Sequence, residues 1–258
     1  PSELIVASGG SGALMLSFLA MLEPGDEALI PDPYFVMYKH LVNLLGGTCV
    51  AVDTYPDFKL TPERVENAVT PRTKLLLVNS PANPTGVCMN KAELSAVVDV
   101  ARKHKLLVIT DEIYESLLYD TEPVSMVGMY ENIICLNGFS KNAAMTGWRV
   151  GYVAGPEPTI KAMAKIQSQT TSGTGTFNQH GLAAALTGPQ ESVEAMRKAF
   201  ERRAEYMWQR LNGIKGITCV QPTGAFYAFP NVVEACKNLG CKGSLDLSAM
   251  VLAKAHVA

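Results

Sequence analysis

The sequence predicts an α/β protein of three layers, α/β/α, in which helices cover both faces of a mainly parallel central sheet. Two observations predict this class. Short β-branched or leucine-rich runs alternate with helical patterns from Leu4 to Gln169, and Pro-Gly, Gly-Gly and Asn-Pro steps supply turns between them. With 258 residues, 48% of them hydrophobic, the chain is long enough to bury a large core.

The pattern divides the chain into individual elements. Seven strands are predicted, at Leu4–Ala7, Glu27–Ile30, Thr48–Val52, Lys74–Val78, Leu106–Ile109, Asn132–Leu136 and Arg149–Ala154. Five helices are predicted between them, at Ala13–Leu22, Tyr34–Leu45, Thr61–Ala68, Lys91–Lys103 and Pro158–Gln169.

The pattern changes after Pro189. Apolar residues then recur at spacings of three and four, which predicts a helix of roughly six turns capped by Gly213. Strands are predicted beyond it at Ile217–Val220 and Ala225–Phe229. We therefore expect a large domain over residues 1–190, and an interdomain helix with part of a smaller α+β domain over residues 191–258.

Composition argues against several classes of partner. The net charge is -2 and the isoelectric point is near 6.1, so no nucleic-acid surface is expected. The six cysteines form no CxxC pair, which favours reduced thiols in the cytoplasm, and the four histidines lack metal-ligand spacing. The longest apolar stretch, Ala13–Leu22, is too short to span a bilayer, so no membrane partner is expected.

Polar residues directly follow four of the predicted strands. Because ligands of open α/β sheets bind beyond the carboxyl ends of the strands, these groups are expected to meet in one crevice. They comprise a glycine-serine loop, an amide, a carboxylate with a phenol, and an amine, within Ser8-Gly9-Gly10-Ser11-Gly12, Asn79-Ser80-Pro81-Ala82-Asn83-Pro84-Thr85-Gly86, Asp111-Glu112-Ile113-Tyr114 and Asn137-Gly138-Phe139-Ser140-Lys141.

Each group has a purely structural explanation as well as a functional one. The loop precedes a helix and could hold a phosphate, but such turns are also glycine-rich for steric reasons; it matches neither the dinucleotide nor the P-loop motif. A partly desolvated Asp111 needs a cation, although it could be a helix N-cap. Lys141 is either a solvated loop residue or an amine activated by burial or by cations such as Arg149.

Pyridoxal 5'-phosphate (PLP) has one group for each of these residues. Its phosphate suits a helix N-terminus and an arginine, and its pyridinium nitrogen suits a carboxylate. Its phenolic oxygen suits Asn or Tyr donors, and its aldehyde suits a lysine amine. The collection therefore favours PLP as the cofactor.

Three motifs in this order resemble the class I aminotransferases among the fold type I PLP enzymes, and above all the aspartate-aminotransferase-like group. They are Asn83-Pro84-Thr85-Gly86, Asp111-Glu112-Ile113-Tyr114, and Ser140-Lys141-Asn142 with Met145-Thr146-Gly147-Trp148-Arg149-Val150-Gly151-Tyr152. Pro24-Gly25-Asp26 and Pro222-Thr223-Gly224-Ala225-Phe226-Tyr227 also match stretches of that family.

The resemblance implies a fold and an activity. It implies a fold type I large domain and transfer of an amino group between an amino acid and a 2-oxo acid by a ping-pong Schiff-base mechanism. Aspartate is the first expectation for the donor, with alanine and aromatic amino acids behind it. A homodimer is implied by the resemblance alone.

The same resemblance implies a role for each site residue. Lys141, Asp111 and Tyr114 are expected to be catalytic: Lys141 forms the Schiff base and moves the proton, and Asp111 pairs with the pyridinium nitrogen. Tyr114 and Asn83 are expected to hydrogen-bond the phenolic oxygen. Phe35 is expected to stack on the ring. The phosphate is assigned to Gly10, Ser11, Gly12 and Arg149, with a looser expectation for Ser140.

Two departures from the family bear on these expectations. Some relatives have a phosphate-contacting serine where this chain has Gly138, and Ser140 is expected to compensate. The family binds the substrate carboxylate with an arginine of the small domain, whereas the last arginine here is Arg210, in the long helix. We therefore expect both ends, Pro1 and Ala258, to be cuts through a larger protein. PLP binding without turnover stays open.

Two other functions also stay open. One is a different fold type I reaction, such as that of a β-lyase or a decarboxylase, which the substrate pocket would distinguish. The other is an aminotransferase-like ligand-sensing domain of a regulator, which would carry a DNA-binding module before residue 1.

Overall fold

A computed structural model describes residues 2–119 and 121–257, and its central sheet confirms the predicted α/β class. Pro1 and Ala258, the outer ends of the two expected domains, lie outside the described residues. Seven strands form the sheet: β1 (Leu4–Ala7), β2 (Glu27–Asp32), β3 (Thr48–Asp53), β4 (Thr73–Asn79), β5 (Leu107–Asp111), β6 (Ile133–Gly138) and β7 (Gly151–Ala154).

The sheet topology brings several strand ends to one edge. The strand order is β1-β7-β6-β5-β4-β2-β3. Strand β7 is antiparallel to both of its neighbours, and the other pairs are parallel. Strands β1, β4, β5 and β6 therefore share one direction, and their carboxyl ends lie at the same edge of the sheet.

Helices cover both faces, as the three-layer prediction requires. Helices α1 (Gly9–Met21), α2 (Met37–Leu44) and α5 (Glu157–Thr170) contribute to one core, and α3 (Pro62–Ala68) and α4 (Lys91–Lys103) contribute to the other. Strand β4 shows the alternation that separates them: Leu75 and Leu77 lie in the first core, and Leu76 and Val78 lie in the second. None of the helices within the described residues is long and apolar enough to cross a membrane.

Local capping signals explain why some predicted bounds are close to the observed ones. The Asn90 side chain accepts a hydrogen bond from the Glu93 backbone N–H at 3.0 Å, and Glu93 accepts from the Asn90 N–H at 2.8 Å. This capping box starts α4 at Lys91, where the sequence predicted it. Thr61 caps α3 in a similar way, with Pro62 in the first turn.

Several element ends shift by one to three residues, as at α2, which begins at Met37 rather than Tyr34, and three further features of the large part differ from the prediction. Helix α1 begins at Gly9 rather than Ala13, because the glycine-serine loop itself forms the first helical turn. Helix α6 (Thr176–Thr187) was not predicted, since its segment is interrupted by Gly181 and has no clear apolar stripe. Arg149 does not begin β7; it follows a 3₁₀ turn (Thr146–Trp148) and has left-handed backbone angles, φ 52° and ψ 52°.

The C-terminal part contains the predicted long helix and a small sheet. Helix α7 (Glu191–Asn212) ends at Gly213, as expected. Strand β8 (Thr218–Cys219) pairs antiparallel with β9 (Pro230–Asn231), and helices α8 (Val233–Leu239) and α9 (Ser244–Ala255) follow. The predicted strand Ala225–Phe229 is wrong, because Ala225 has φ +56° and its N–H donates to Leu117 O at 2.8 Å instead of to a partner strand.

The segment Pro222–Tyr227 instead docks on the loop that follows β4. The backbone N–H groups of Thr223 and Gly224 both donate to Gly86 O, at 2.8 and 2.9 Å. Gly86 has φ +71°, and a Cβ there would lie 2.8 Å from Pro222 Cβ and 3.0 Å from Tyr227 O. This close approach requires glycine at position 86.

We predict that Gly86→Ala destabilises the protein more than Gly128→Ala. Both positions have positive φ, but a Cβ at Gly128 would meet nothing within 4 Å. The backbone strain of alanine costs about 1–2 kcal/mol at either site. The overlap at Gly86 should add about 1–3 kcal/mol to the loss. Urea unfolding of both variants measures the difference, and equal losses would show that the docked segment can shift freely.

Candidate functional site

A cavity that opens to solvent lies at the sheet edge where β1, β4, β5 and β6 end, with about 660 Å³ of space between its walls, part of it bulk solvent. Of the ten residues predicted to bind the cofactor, all except Gly12 line this cavity. Its lining also includes residues to which the sequence assigned no role, among them Leu14, Tyr38, Ile113, Leu136, Thr146 and Tyr227. The structure therefore brings together the groups that follow the four strands.

Asp111 lies at the end of β5 and is 4% exposed. Its Oδ2 accepts a hydrogen bond from the Tyr38 hydroxyl at 2.7 Å, and its Oδ1 accepts from the Ile113 backbone N–H at 3.2 Å. Burial raises the pKa of Asp111 to about 6, and these two hydrogen bonds oppose that rise. Residues 113–116 form turns, so the alternative of Asp111 as an α-helix N-cap is wrong.

Tyr38 is a site residue that the sequence reasoning missed. It lies on α2, is 1% exposed, and makes an edge-to-face contact with Phe35 at a ring-centroid distance of 5.5 Å. The available signal was a tyrosine within a predicted amphipathic helix, since a buried phenol needs a hydrogen-bond partner. That partner, Asp111, lies 73 positions away, so the pattern could not identify it.

Tyr114 is nearly buried and forms a phenol pair with Tyr227. The two hydroxyl oxygens lie 2.6 Å apart. Burial raises the pKa of Tyr114 well above its usual value; the contact with Tyr227 raises it further, and the side chain of Asn83 opposes the rise. Tyr227 comes from the docked segment Pro222–Tyr227, so the C-terminal part contributes a hydroxyl to the cavity.

Lys141 is half-buried and lies in the turn after β6. Its Nζ lies 5.5 Å from the Phe226 ring centroid and 6.0 Å from the Tyr114 ring centroid. Aromatic faces attract an ammonium group without forming an ion pair. The two ring centroids are 5.4 Å apart, so the amine lies beside this aromatic pair, in the same cavity as Asp111.

The start of α1 and Arg149 form a cradle suited to an anion. Ala7 pairs with Gly151 across β1 and β7, so Arg149 lies beside the first turn of α1. A Cβ at Gly9 would lie 2.6 Å from an Arg149 guanidinium nitrogen. Neither a side-chain cap from Ser8 nor an acidic residue occupies the first turn of α1. The free N–H groups of the turn and the guanidinium therefore favour a bound anion.

Gly12, Gly138 and Ser140 have distinct positions around this cradle. Gly12 lies in the first turn of α1 but does not line the cavity; a Cβ there would meet Ser8 Cβ at 3.3 Å. A Cβ at Gly138 would lie 2.9 Å from Ile113 Cδ1 and 3.3 Å from Gly151 Cα, so a serine there would press on β7. Ser140 lines the cavity two residues later.

The sequence of the whole chain, residues 1–258, matches the family model for aminotransferases of class I and II. The aspartate aminotransferase of Geobacillus stearothermophilus is 44% identical and that of Bacillus subtilis 42% identical, each over 100% of this chain and 67% of the relative. An aspartate/prephenate aminotransferase of Cereibacter sphaeroides is 44% identical over 90% of this chain and 60% of the relative.

Solved structures of aspartate aminotransferases are also similar to this chain in fold. The aspartate aminotransferase of Rhizobium meliloti matches with a TM-score of 0.94 at 36% identity, over 100% of this chain and 68% of that one. The Thermus thermophilus aspartate aminotransferase solved with maleate matches with a TM-score of 0.84 at 43% identity, over 89% and 62%. The chain thus spans about two thirds of the length of the relatives it matches.

We predict that the cofactor-free protein loses stability between pH 4 and pH 7 through Asp111. The folded protein holds this carboxyl at a pKa of about 6, above an ordinary value of about 4, so it binds more protons than the unfolded chain in this range. The free energy of unfolding therefore falls as the pH rises, on the order of 3 kcal/mol from this group.

The Asp111→Asn variant should lack this component. Relative to the wild type it should gain stability as the pH rises from about 4 to about 7. Urea unfolding at both pH values measures the difference, with Asp99→Asn, at an exposed carboxylate, as the control. A difference that stays constant with pH would contradict the raised pKa of Asp111.

Proposed function

Because the chain belongs to the class I and II aminotransferase family, we propose that it transfers an amino group from an amino acid to a 2-oxo acid with PLP as cofactor. Aspartate is the proposed donor, since several relatives are named aspartate aminotransferases. The names of these relatives favour this activity over the β-lyase, decarboxylase and ligand-sensing alternatives. The chain spans about two thirds of those relatives, so substrate binding by the whole protein is part of the proposal.

The observation that carries the proposal is the buried carboxylate of Asp111 in the same cavity as the Lys141 amine. Within the described residues, hydrogen bonds rather than an ion pair hold Asp111. A buried carboxylate of this kind is stabilised by a bound cation, and the protonated ring nitrogen of a pyridinium is such a cation. The anion cradle at the other wall suits the phosphate of the same molecule.

Each lining residue then has a proposed contact. Gly10 and Ser11 would hold the phosphate through the free N–H groups of the α1 first turn, and Arg149 through its guanidinium. Gly12 does not line the cavity, so no phosphate contact is proposed for it. Asn83 and Tyr114 would donate to the phenolic oxygen, and Phe35 would pack on the ring. Ser140 lines the wall beside them.

When bound, PLP supplies an electrophilic aldehyde and a ring that accepts electrons while its nitrogen is protonated. Asp111, as a carboxylate, would keep that nitrogen protonated. Lys141 would bind the cofactor covalently through Nζ and, once displaced by the substrate amine, would move the proton at the substrate carbon. The Tyr114 and Phe226 rings, whose centroids lie 6.0 and 5.5 Å from Nζ, flank the amine on one side.

We also propose a division into two domains and an assembly of two chains. Residues 1–190 would form the cofactor domain, and residues 191–258 the interdomain helix with part of the small domain. Large apolar side chains are exposed on and beside α6: Trp148 is 45%, Phe177 75% and Leu186 61% exposed. Such a patch suits a second copy of the chain in a homodimer. Six free cysteines support a cytoplasmic location.

We predict that borohydride reduction of the PLP-loaded protein attaches the cofactor to Lys141. The Lys141→Ala variant should then show no covalent adduct by peptide mass spectrometry. Lys165→Ala, at an exposed lysine of α5, is the matched control and should retain the adduct. An adduct on another lysine in the Lys141→Ala variant would contradict the assignment.

We predict that Asp111→Ala slows the single-turnover reaction with excess aspartate, on the order of 10²-fold or more, because the charge opposite the ring nitrogen is lost. Stopped-flow absorbance of the bound cofactor measures this rate, with Asp99→Ala as the exposed control. An unchanged rate in Asp111→Ala would remove the proposed role of this carboxylate.

A further inference from the structure

We propose that Tyr38 is a positioning residue that orients the Asp111 carboxylate toward the ring nitrogen of the cofactor. The inference rests on the proposed function, because it concerns how Asp111 meets the pyridinium of PLP. Tyr38 was not among the residues that the motifs identified, and its role follows from contacts across the fold.

The hydrogen bonds of Asp111 determine how its carboxylate is held. Tyr38 donates to Oδ2 at 2.7 Å, and the Ile113 N–H donates to Oδ1 at 3.2 Å. With one donor on each oxygen, rotation of the carboxylate plane is restricted. Lone pairs on both oxygens remain available, since an ionised carboxylate offers about four acceptor sites. Asp111 lines the cavity, so these free acceptor sites can serve a donor bound there.

The position of Tyr38 suits this role. Tyr38 is 1% exposed and packs with Leu41 and Val42 in the core beneath α1, so its ring cannot easily move. Its hydroxyl bonds to Asp111 alone among the described residues. Phe35, three positions earlier, lines the same cavity and contacts the Tyr38 ring edge-to-face. One short stretch therefore provides both a ring for the cofactor and a donor for the carboxylate.

The other groups around Asp111 do not replace this donor. Burial has the largest effect on the pKa of Asp111 and raises it; among the groups that lower it, the Tyr38 hydroxyl comes first and the Ile113 N–H second. Glu112 raises the pKa, and Lys141 lowers it less than either hydrogen bond. Tyr114 and Tyr227 also face this region, but their hydroxyls bond to each other.

The test compares two ligands in four proteins. PLP and an analogue with the ring nitrogen replaced by C–H are titrated into the wild type, Tyr38→Phe, Asp111→Asn and the double variant, and dissociation constants are measured by absorbance. Tyr34→Phe, at a partly buried tyrosine just before α2, is the control. Thermal melting confirms that each variant is folded.

We expect Tyr38→Phe to weaken PLP binding by about 10-fold, the effect of losing a typical coupling between neighbouring groups, because the carboxylate is then free to turn away from the ring nitrogen. Binding of the nitrogen-free analogue should be unchanged, because this molecule has no ring nitrogen with which Asp111 could interact. In the Asp111→Asn background, Tyr38→Phe should change PLP binding by less than about twofold, since the two residues act as one unit.

Equal weakening of both ligands by Tyr38→Phe would overturn the inference and assign Tyr38 a packing role only. An unchanged affinity for PLP would overturn it as well. If the wild type binds neither ligand, the proposed function itself is contradicted, which is a separate result from either of these.

Discussion

Burying a carboxylate at the end of a central strand costs free energy, because the charge loses its hydration and the surroundings must replace it. One hydrogen bond to each oxygen of Asp111, from the Tyr38 hydroxyl and from the Ile113 backbone N–H, offsets part of this cost. The two bonds together do not fully offset the cost of burial, since the pKa of the carboxyl is raised to about 6. A ligand that presents a cation to Asp111 would make up this deficit.

The sheet topology supplies the remaining groups around that carboxylate. Because β7 is the antiparallel strand between β1 and β6, the chain leaves β6 at Gly138, passes through Lys141 and Arg149, and returns at Gly151. The same register sets Gly151 opposite Ala7, next to the start of α1. The one segment between β6 and β7 thus places the Lys141 amine at the cavity and the Arg149 guanidinium beside the first turn of α1.

Backbone and side-chain hydrogen bonds join the C-terminal part of the chain to this site. Thr223 and Gly224 bond to Gly86, in the loop that also carries Asn83, and Tyr227 reaches Tyr114 from the same segment. Any motion of the C-terminal part relative to the sheet would therefore change the phenol pair at the cavity wall.

The sequence by itself determined the α/β class, the strand order along the chain, the bounds of α4, and most of the polar residues that meet in the cavity. These features depend on local signals: apolar alternation, capping residues and the position of polar groups directly after strands. Only the tertiary structure decided that Tyr38 serves Asp111, that Tyr227 pairs with Tyr114, that Gly12 stays off the cavity wall, and that residues 225–229 form no strand. Tyr38 and Asp111 are 73 positions apart, and Tyr114 and Tyr227 are 113 positions apart. Ala225 bonds to the loop residue Leu117 and not to a neighbouring strand. Spacing along the chain carries no information about these contacts, because they arise only when separate elements pack together.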